Sequence, residues 1–559
     1  MANDVFTFLV GGRAGQGVKK AGDAASHLFS RLGRHAFELD DYQSLIRGGH
    51  NFSVVSTAPR EITSHYMKAD LVVALDERSV GIHREHVADG GVLLCDGDES
   101  PDGCMSLPLF ENAKDYSRSE LRMGVAAVAC LCAGIGLDER ETAELVRSEY
   151  TADTENNVEY ALTVFRLAAA EVGGRFELER KEGERPLLTG NQAIALGAAA
   201  AGLDFYAAYP MTPSSTILHF LAAHDEELGI KVVHPESEIA VANMAIGAAA
   251  AGARAAVGTS GGGYALMEEA FSLAGMSETP LLAARSSRPG PSTGVPTYTE
   301  QADLEFAMSP GHGEFARILA SPGSIAEAYR LAAQLMELAW RFQVVATLLT
   351  EKHLSESQMT VELDPADAAW ADPDLDEGEG YARYRQTESG VSPLRFFPSE
   401  AAVKWNSYEH DEQGITTEDA ELVAAMHDKR LRKERALEKH LEGLSTVNRF
   451  GGEGPVVVTY GSTTMSVLEA LRAGDLDARV VQPVFLRPWP AKALRDIEGR
   501  EVVVVEQSAT GQFARLLSEK TRAVPKRVIK RYDGRPFEPL ELATQLGEAL
   551  SELGEEETS

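Results

Sequence analysis

Glu238 is the acidic residue of this chain that is best placed for chemistry. It follows a short apolar run, IKVVHP, and stands directly after Ser237, a residue type suited to cap a helix. The helix that it opens, IAVANMAIGAAAAGA, consists mostly of small residues, so a backbone or a flat ligand can approach it closely. The pattern predicts a carboxylate held at the first turn of a helix, beside the end of a strand. A solvated acid that merely suits the helix dipole is the alternative for an isolated glutamate.

A second candidate stretch, YPMTPSS at 209–215, comes shortly before this helix. The run DFYAAYP is predicted to be a buried strand that ends at Pro210, and two closely spaced prolines predict a turn after it. Ser214 or Ser215 is expected to cap the next helix, TILHFLAAHDEEL. This arrangement places Thr212 in a turn at the end of a buried strand.

A loop rich in Pro, Gly and Ser carries two arginines that are candidates for carboxylate binding. The segment TPLLAARSSRPGPSTGVPTYTEQADL runs from a predicted strand into this loop, with Arg285 and Arg288 near its start. A guanidinium fork matches a planar carboxylate better than an ammonium group does. A salt-bridged loop arginine is the alternative. His234 and His312 lie beside Pro or Gly and are assigned no role.

Together these motifs resemble the alpha subunit of the 2-oxoacid:ferredoxin oxidoreductases. That family carries YPITPSS where this chain has YPMTPSS, and QR-x-GPSTG-x-PT where this chain has SRPGPSTGVPT. The resemblance implies a thiamine diphosphate enzyme in which Glu238 contacts the aminopyrimidine N1′ of the cofactor and Thr212 faces the substrate. Tyr209 and Pro210 are expected to help bind the cofactor. A carboxylate on N1′ favours the imino form of the ring, the form that activates the thiazolium carbon.

The resemblance also selects the arginine and implies the reaction. The register of GPSTG favours Arg288 over Arg285 as the ligand of the substrate carboxylate. The implied enzyme converts a 2-oxoacid, coenzyme A and oxidised ferredoxin into an acyl-CoA, carbon dioxide and reduced ferredoxin. A gamma–alpha fusion of this length looks most like the 2-oxoglutarate enzyme, which forms succinyl-CoA, with pyruvate or a broad range of 2-oxoacids as the alternative.

The glycine-rich turn GGRAGQGV after the first predicted strand fits neither common nucleotide-binding motif. The dinucleotide fingerprint lacks its required glycines, and a phosphate-binding loop would need a lysine where Val18 stands. The turn resembles instead the G-x-G-G-Q-G-V loop of the family's gamma subunit, and IRGGH at 46–50 resembles that subunit's RGG element. The resemblance implies that coenzyme A approaches this domain and that Arg47 faces its route, with a surface arginine as the alternative.

The chain is predicted to form three α/β domains. Strands that alternate with helices predict a parallel sheet in the first of them. The run of glycines at 261–263 is expected to form a tight turn, with anion binding as the alternative. The predicted parts are a gamma-type domain at 1–172, a linker at 173–188, a pyrimidine-type thiamine diphosphate domain at 189–360, an acidic excursion with a basic connecting helix at 361–450, and a transketolase C-terminal-like domain at 451–559. The basic face of that helix, comprising Lys429, Arg430, Arg432 and Lys433, is expected to face a partner or to form internal ion pairs.

Composition narrows the function classes further. A net charge of −32 argues against a nucleic-acid-binding protein. Only 15 of the 53 basic residues are lysines, and many acids with few lysines resemble halophilic proteomes. No apolar run has the length of a membrane helix, so we expect a soluble, cytoplasmic protein. The four cysteines lack the spacing of an iron–sulfur site, and Cys130 and Cys132 are expected to pack within an apolar helix.

The sequence lacks the other half of a thiamine diphosphate site. Such sites hold the diphosphate through a metal anchored by Gly-Asp-Gly and a later Asn, and neither Gly97-Asp98 nor Gly474-Asp475 continues that pattern. We therefore expect a heterodimer with the family's beta subunit, which would supply Mg²⁺ and a 4Fe-4S cluster, with no metal site on this chain. The alternatives are a non-catalytic scaffold subunit and, disfavoured by the broken fingerprint, an NAD-dependent dehydrogenase.

Overall fold

The computed structural model describes residues 4–43, 49–98, 103–368, 372–376 and 378–557. Its strands form three sheets of eight, seven and five strands, flanked by helices, which confirms the α/β class. Arg47 lies outside the described residues. Within the described ranges, no helix is both long enough and apolar enough to cross a membrane.

The N-terminal part, up to Val172, supplies most of the eight-stranded sheet. Apolar strand residues and helix faces such as the small, buried face of ACLCAG form one core on this sheet. Its elements are β1 (Phe6–Arg13), α1 (Val18–Arg31), β2 (His35–Asp41), β3 (His50–Ala58), β4 (Ala69–Ala74), α2 (Glu77–His83), β5 (Val87–Asp96), β6 (Met105–Leu107), α3 (Leu109–Ala113), α4 (Ser119–Gly134), α5 (Glu139–Glu149) and α6 (Thr154–Val172).

This sheet is mixed, so the prediction of a parallel sheet was wrong. Strand β1 pairs parallel with β4 but antiparallel with β3, and β3 pairs antiparallel with β2. The β2–β3 connection, 42–49, is too short for the crossover that a parallel pair requires. Cys130 and Cys132 are buried in α4 as expected, whereas Cys95 and Cys104 form a disulfide that sequence reasoning missed.

The middle part forms the seven-stranded sheet that carries the candidate site. The capping box at Thr189 and Gln192 starts its first helix, and alanine-rich helices pack closely on its strands. Its elements are β7 (Leu187–Thr189), α7 (Gly190–Ala200), β8 (Phe205–Ala207), α8 (Ser215–Ala223), α9 (Asp225–Leu228), β9 (Lys231–Val233), α10 (Glu238–Ala250), β10 (Ala255–Thr259), α11 (Gly261–Ser277), β11 (Leu281–Ser287), α12 (Leu304–Ala307), β12 (Arg317–Ala320), α13 (Ile325–Phe342), β13 (Val345–Glu351), α14 (Lys352–Glu356) and β14 (Gln358–Thr360).

The C-terminal part begins with a long helix and ends in a five-stranded sheet in the order β15-β17-β16-β19-β20. Runs of valine in the central strands form its core with the flanking helices. The elements are α15 (Ala420–Leu441), β15 (Val447–Phe450), β16 (Val456–Val458), α16 (Thr463–Ala473), β17 (Arg479–Pro483), β18 (Phe485–Arg487), β19 (Glu501–Glu506), α17 (Gln512–Thr521), β20 (Val524–Lys530) and α18 (Pro539–Glu557).

The three parts are joined by strands that cross between them. Strands β7 and β14 extend the N-terminal sheet beside β2, and β18 pairs with β12 at the edge of the middle sheet. The buried carboxylate of Glu469 on α16 adds a polar link, because it accepts hydrogen bonds from Thr63 and Tyr66 of the N-terminal part.

The basic face of α15 makes internal contacts. The ammonium group of Lys429 lies 2.6 Å from Glu278, and Lys433 contacts the same carboxylate. Arg430 pairs with Glu409, and Arg432 bonds to Gln386. Of the two expectations for this face, the structure therefore shows the internal ion pairs.

Candidate active site

The candidate residues meet at one edge of the middle sheet. Its central strands β11, β10, β8 and β9 are neighbours and run parallel. Glu238 follows β9, Thr212 follows β8 and Arg288 follows β11, so all three lie beyond the carboxyl ends of the strands. Ligands of open α/β sheets bind at this edge.

Glu238 opens α10 with its carboxylate enclosed by protein. Ser237 caps the helix as predicted, since its hydroxyl accepts a hydrogen bond from the backbone N–H of Ala240 at 3.4 Å. The Glu238 residue is only 3% exposed, and its buried Oε1 has no hydrogen-bond partner among the described residues. An ionised carboxylate without a partner is costly to bury, so this oxygen points to a missing hydrogen-bond donor.

The glycine run 261–263 makes room for Glu238. It forms the first turn of α11, so the prediction of a separate tight turn was wrong. A Cβ on Gly263 would lie 2.6 Å from Oε1 of Glu238 and would also collide with the hydroxyl of Thr259. Because the hydroxyls of Thr259 and Ser260 are also unpartnered within the described part of the chain, this corner holds several polar groups ready for a ligand.

The turn after β8 is held from α7. Asn191 donates hydrogen bonds to the carbonyl of Pro213 at 2.7 Å and to the hydroxyl of Thr216 at 2.6 Å. Ser214 does not cap α8 as predicted, because its hydroxyl donates to the carbonyl of Met211 at 2.9 Å. The turn that carries Thr212 is therefore fixed by contacts on both sides.

The two candidate arginines have different surroundings. Arg285 is fully buried, pairs with Asp303 at 2.9 Å and packs on the ring of Tyr264. Arg288 is half-buried and donates to the carbonyl of Thr212 at 2.7 Å, and no carboxylate lies within ion-pair distance of it among the described residues. Partial burial lowers the pKa of Arg288 from its ordinary value. The geometry therefore joins Arg288 to Thr212 and leaves its guanidinium without a direct ion pair in the described part of the chain.

The remaining candidates lie at the rim. Tyr209 is 39% exposed, with its ring 5.8 Å from that of His234, and Pro210 is half-buried beside it. His312 is exposed and bonds to Ser272 at 2.8 Å, away from the residues named above. Tyr209 and Pro210 thus border the site, and His312 is occupied elsewhere.

Large apolar side chains are exposed on the two helices that flank Glu238. Helices α10 and α11 pack against each other, and Ile239, Met244 and Leu266 on them are 54%, 42% and 50% exposed. Exposed apolar patches of this kind mark interaction surfaces. The two helices beside Glu238 therefore carry exposed apolar area in addition to the buried carboxylate.

Comparison with known proteins agrees with these motifs. Residues 7–171 match the family described as "Pyruvate ferredoxin/flavodoxin oxidoreductase", and residues 196–429 match "Pyruvate flavodoxin/ferredoxin oxidoreductase, thiamine diP-bdg". The chain is 28% identical to the 2-oxoacid:ferredoxin oxidoreductase subunit alpha of a Sulfolobus species, over 97% of this chain and 96% of that protein. It is 31% identical to the 2-oxoglutarate synthase subunit KorA of Archaeoglobus fulgidus, over 59% of this chain and 90% of that one.

The chain belongs to the 2-oxoacid:ferredoxin oxidoreductase alpha subunits. A solved structure extends the likeness to the whole fold. The 2-oxoglutarate:ferredoxin oxidoreductase from Magnetococcus marinus, solved with 2-oxoglutarate, coenzyme A and succinyl-CoA bound, is 26% identical and superposes with a TM-score of 0.88. The match covers 98% of this chain and 100% of that one, so the arrangement of all three parts is common to both.

This alpha subunit has a large cleft where its three parts meet. The cleft holds about 700 Å³ and is lined by Asp41 and His50 of the N-terminal part, Tyr298 and His353 of the middle part, and Arg535 of the C-terminal part. Burial lowers the pKa of His353 to about 3, so this imidazole is neutral. Both of its ring nitrogens lack partners within the described ranges.

Sequence reasoning missed Asn191, Thr259 and Gly263 as parts of the site. Asn191 belongs to the GNQA start of α7, and Thr259 and Gly263 belong to the TSGGG run. Both runs resemble motifs of the family, and this resemblance could have marked the three residues as parts of the site. The contacts of Asn191 with Pro213 and Thr216, and the closeness of Gly263 to Glu238, depend on the packing of separate elements, which the linear pattern does not show.

Proposed function

We propose that this alpha subunit catalyses the coenzyme A-dependent oxidative decarboxylation of 2-oxoglutarate to succinyl-CoA, with ferredoxin as the electron acceptor, together with a beta subunit. The observation that carries the proposal is the buried, unpartnered Oε1 of Glu238 behind an exposed apolar surface. A buried carboxylate needs a donor, and a donor that arrives with a second chain explains its absence from this one.

Glu238 fits the aminopyrimidine of thiamine diphosphate. When bound, the cofactor would supply a nucleophilic carbon that stabilises the negative charge left by decarboxylation. Glu238 would accept a hydrogen bond from N1′ and thereby set the protonation state of the ring. The glycines of α11 leave space for a flat ring, while Tyr209 and Pro210 would border it at the rim.

Arg288 and Thr212 would orient the 2-oxoacid. The guanidinium of Arg288, which forms no direct ion pair among the described residues, would bind the carboxylate that leaves as carbon dioxide, and its bond to the carbonyl of Thr212 holds one of its nitrogens at the site. Arg285 has its carboxylate already, in Asp303. The acyl group would pass to the thiol of coenzyme A, while two electrons would pass one at a time to ferredoxin.

The choice of 2-oxoglutarate rests on the relatives. The Archaeoglobus relative is named a 2-oxoglutarate synthase subunit, and the Magnetococcus enzyme was solved with 2-oxoglutarate bound. Pyruvate is the second candidate, since both matching families are described by pyruvate. The kcat/KM of the purified complex should be highest for 2-oxoglutarate among 2-oxoglutarate, pyruvate and branched 2-oxoacids, and a preference for pyruvate would overturn this choice.

The beta subunit would complete the site from the side of α10 and α11. Their exposed Ile239, Met244 and Leu266 supply apolar area for such an interface. We propose that this partner holds the diphosphate through Mg²⁺ and carries the 4Fe-4S cluster, in a heterodimer repeated as a two-fold pair. Co-purification of the two chains, with iron and thiamine diphosphate present in the complex, tests this assignment.

The cleft between the three parts is proposed as the route of coenzyme A. It is lined by Gln43 and His50, which flank the RGG element, and by the basic residues Lys352 and Arg535 that suit phosphates. The expected position of Arg47 remains a prediction. Lys352→Met is expected to raise the KM for coenzyme A, and an unchanged KM would contradict this route.

The function is tested by activity of the assembled complex. The alpha and beta chains, purified together with thiamine diphosphate and Mg²⁺, should reduce ferredoxin only when a 2-oxoacid and coenzyme A are both present. Equal turnover by this chain alone would contradict the shared site. Reduction of NAD without ferredoxin would support a dehydrogenase instead, and a complex that assembles without any turnover would support a scaffold subunit.

The acidic composition supports adaptation to high salt. Screening weakens the repulsion within a chain of charge −32. The thermal unfolding midpoint is expected to rise by several degrees when KCl is raised from about 0.1 to about 2 M. A midpoint that does not change would contradict a halophilic origin.

A further inference from the structure

The loop that begins at Arg288 is tied to all three parts of the subunit. It leaves β11 in the middle part and returns to the body of the protein at Gln301, whose backbone N–H donates to the carbonyl of Gln507 at 2.7 Å. Just before that point, the N–H of Thr299 donates to the carbonyl of Gly534 at 3.0 Å. Both acceptors belong to the C-terminal part, so the far end of the loop is fixed there.

The near end of the loop is closed on itself. The N–H of Val295 donates to the carbonyl of Pro289 at 3.0 Å, and Gly294 has a φ of +54° with a side-chain position that would overlap this carbonyl. A residue with a Cβ is unfavourable in both respects. Arg288 therefore directly precedes a closed turn. The N–H of Tyr298 donates to the carbonyl of Val295 at 3.2 Å, which connects this turn to the far end of the loop.

Tyr298 links this loop to the N-terminal part. Its hydroxyl donates a hydrogen bond to Oδ1 of Asp41 at 3.2 Å, at the last residue of β2. The second oxygen of Asp41 lies 3.5 Å from Nε of Arg535. The guanidinium of Arg535 in turn lies 3.7 Å from the centre of the Tyr298 ring. One carboxylate of the N-terminal part thus contacts side chains of both other parts.

We propose that Asp41, Tyr298 and Arg535 form a positioning unit that sets the orientation of Arg288 for the 2-oxoacid. The unit is centred on the Asp41 carboxylate, whose side chain is 13% exposed, whereas its partner Arg535 is 43% exposed at the cleft. None of the three side chains touches the reacting atoms. Their effect reaches the substrate through the loop, so they act on 2-oxoacid binding rather than on the chemical step. This inference rests on the proposed role of Arg288.

The unit also joins the substrate loop to the cleft. Asp41, Tyr298 and Arg535 all line the cleft of about 700 Å³, and Asp41 lies just before the connection between β2 and β3. Movement of the N-terminal part relative to the other two would therefore pull on Tyr298 first. Through the positioning unit, the contact of the middle part with the N-terminal and C-terminal parts would influence the position of Arg288, in addition to the middle sheet.

Steady-state kinetics of the complex with its beta subunit test the proposal. Tyr298→Phe and Asp41→Asn should each raise the KM for the 2-oxoacid on the order of tenfold, as expected when a hydrogen bond to a charged group is lost, with kcat changed less than about twofold. The double variant should be less impaired than the product of the two single effects, because both substitutions act on the contact between Tyr298 and Asp41. Tyr408→Phe, at a tyrosine that is 68% exposed, is the matched control and should leave KM unchanged.

Three outcomes would overturn the proposal, and each identifies a different failure. An unchanged KM in Tyr298→Phe and Asp41→Asn, beside a raised KM in Arg288→Lys, would overturn the positioning unit and leave the role of Arg288 intact. An unchanged KM in Arg288→Lys would overturn the proposed carboxylate site itself. Variants that melt earlier but keep the KM of the natural enzyme would show that the contact is structural only, which also overturns the proposal.

Discussion

Two buried glutamates of the middle part differ in whether their carboxylates have partners. Glu238 starts α10, and its Oε1 has no partner in the described part of the chain. Glu278 follows the end of α11 and lies 2.6 Å from the ammonium group of Lys429, with Lys433 on its other oxygen. Burial opposes the charge of Glu278, but the two lysines outweigh it and hold its pKa well below the ordinary value. The comparison separates a carboxylate that stabilises the fold from one that is held ready for a ligand.

The largest expected effect is the loss of activity at the unpartnered carboxylate. Glu238→Gln keeps the shape of the side chain but cannot act as the charged acceptor for N1′. Ferredoxin reduction by the complex should fall by roughly 10²–10⁴-fold, the usual contribution of a positioned acid or base. Stability should be largely unchanged, because Oε1 of Glu238 has no hydrogen-bond partner among the described residues that the substitution could remove.

Glu236→Gln is the matched control for that variant. Glu236 is exposed two residues earlier in the same strand-to-helix connection, so its activity should stay within about twofold of the natural enzyme. If Glu238→Gln lost activity together with a large drop in unfolding temperature, Glu238 would stabilise the fold as Glu278 does. That result would contradict its proposed role as a ligand of the cofactor.

The paired carboxylate should show the reverse pattern. Glu278→Gln leaves Lys429 and Lys433 buried without a counter-ion, which should cost about 3–5 kcal/mol of unfolding free energy. Chemical denaturation measures this loss, and activity below the unfolding transition should stay near that of the natural enzyme. Glu269→Gln, at an exposed position on the same helix, should change stability by less than about 0.5 kcal/mol.

A third buried carboxylate lies between these extremes and predicts a dependence on pH. Glu351 accepts a hydrogen bond from the N–H of Ser462 at 3.1 Å, and burial raises its pKa from 4.5 to about 7. A folded-state pKa above the unfolded value favours folding at low pH, and this contribution is lost as the pH rises through about 7. From pH 5 to 8 the natural protein should lose roughly 3 kcal/mol relative to Glu351→Gln. Parallel stability profiles for the two proteins would refute this prediction.

Arg285 and Arg288 differ in the same way as the two glutamates, since among the described residues one forms an ion pair and the other does not. Arg285 has its counter-ion in Asp303, whereas Arg288 has none within the described ranges. Arg288→Lys should raise the KM for the 2-oxoacid about tenfold through loss of the guanidinium fork, with little effect on stability. Arg285→Lys should mainly lower the unfolding temperature. The control is Arg140→Lys in an exposed i,i+4 pair on α5, which should alter neither quantity.

The paired and unpaired residues also differ in how well sequence predicts them. The position of Glu238 at the start of α10 and its cap Ser237 could be predicted because each depends on a few adjacent residues, whereas the choice of Arg288 over Arg285 stays a prediction. The partner of Glu278 lies some 150 residues away on α15, and Tyr298 meets Asp41 across two domains, so these contacts follow from packing that no local pattern encodes. The antiparallel pairing of β2 with β3 was also missed, because neither strand was recognised in the sequence after the first predicted helix.

We propose that Glu238 binds N1′ of a cofactor that this chain shares with a second chain. A structure of the alpha and beta chains together, with thiamine diphosphate and Mg²⁺, tests it most directly through the distance between Oε1 of Glu238 and N1′. We predict a hydrogen bond of about 2.6–3.0 Å, with α10 and α11 covered by the second chain. The proposed role of Glu238 would be wrong if N1′ of the cofactor faced another group. It would also be wrong if the Glu238 carboxylate remained far from any cofactor in the complete complex.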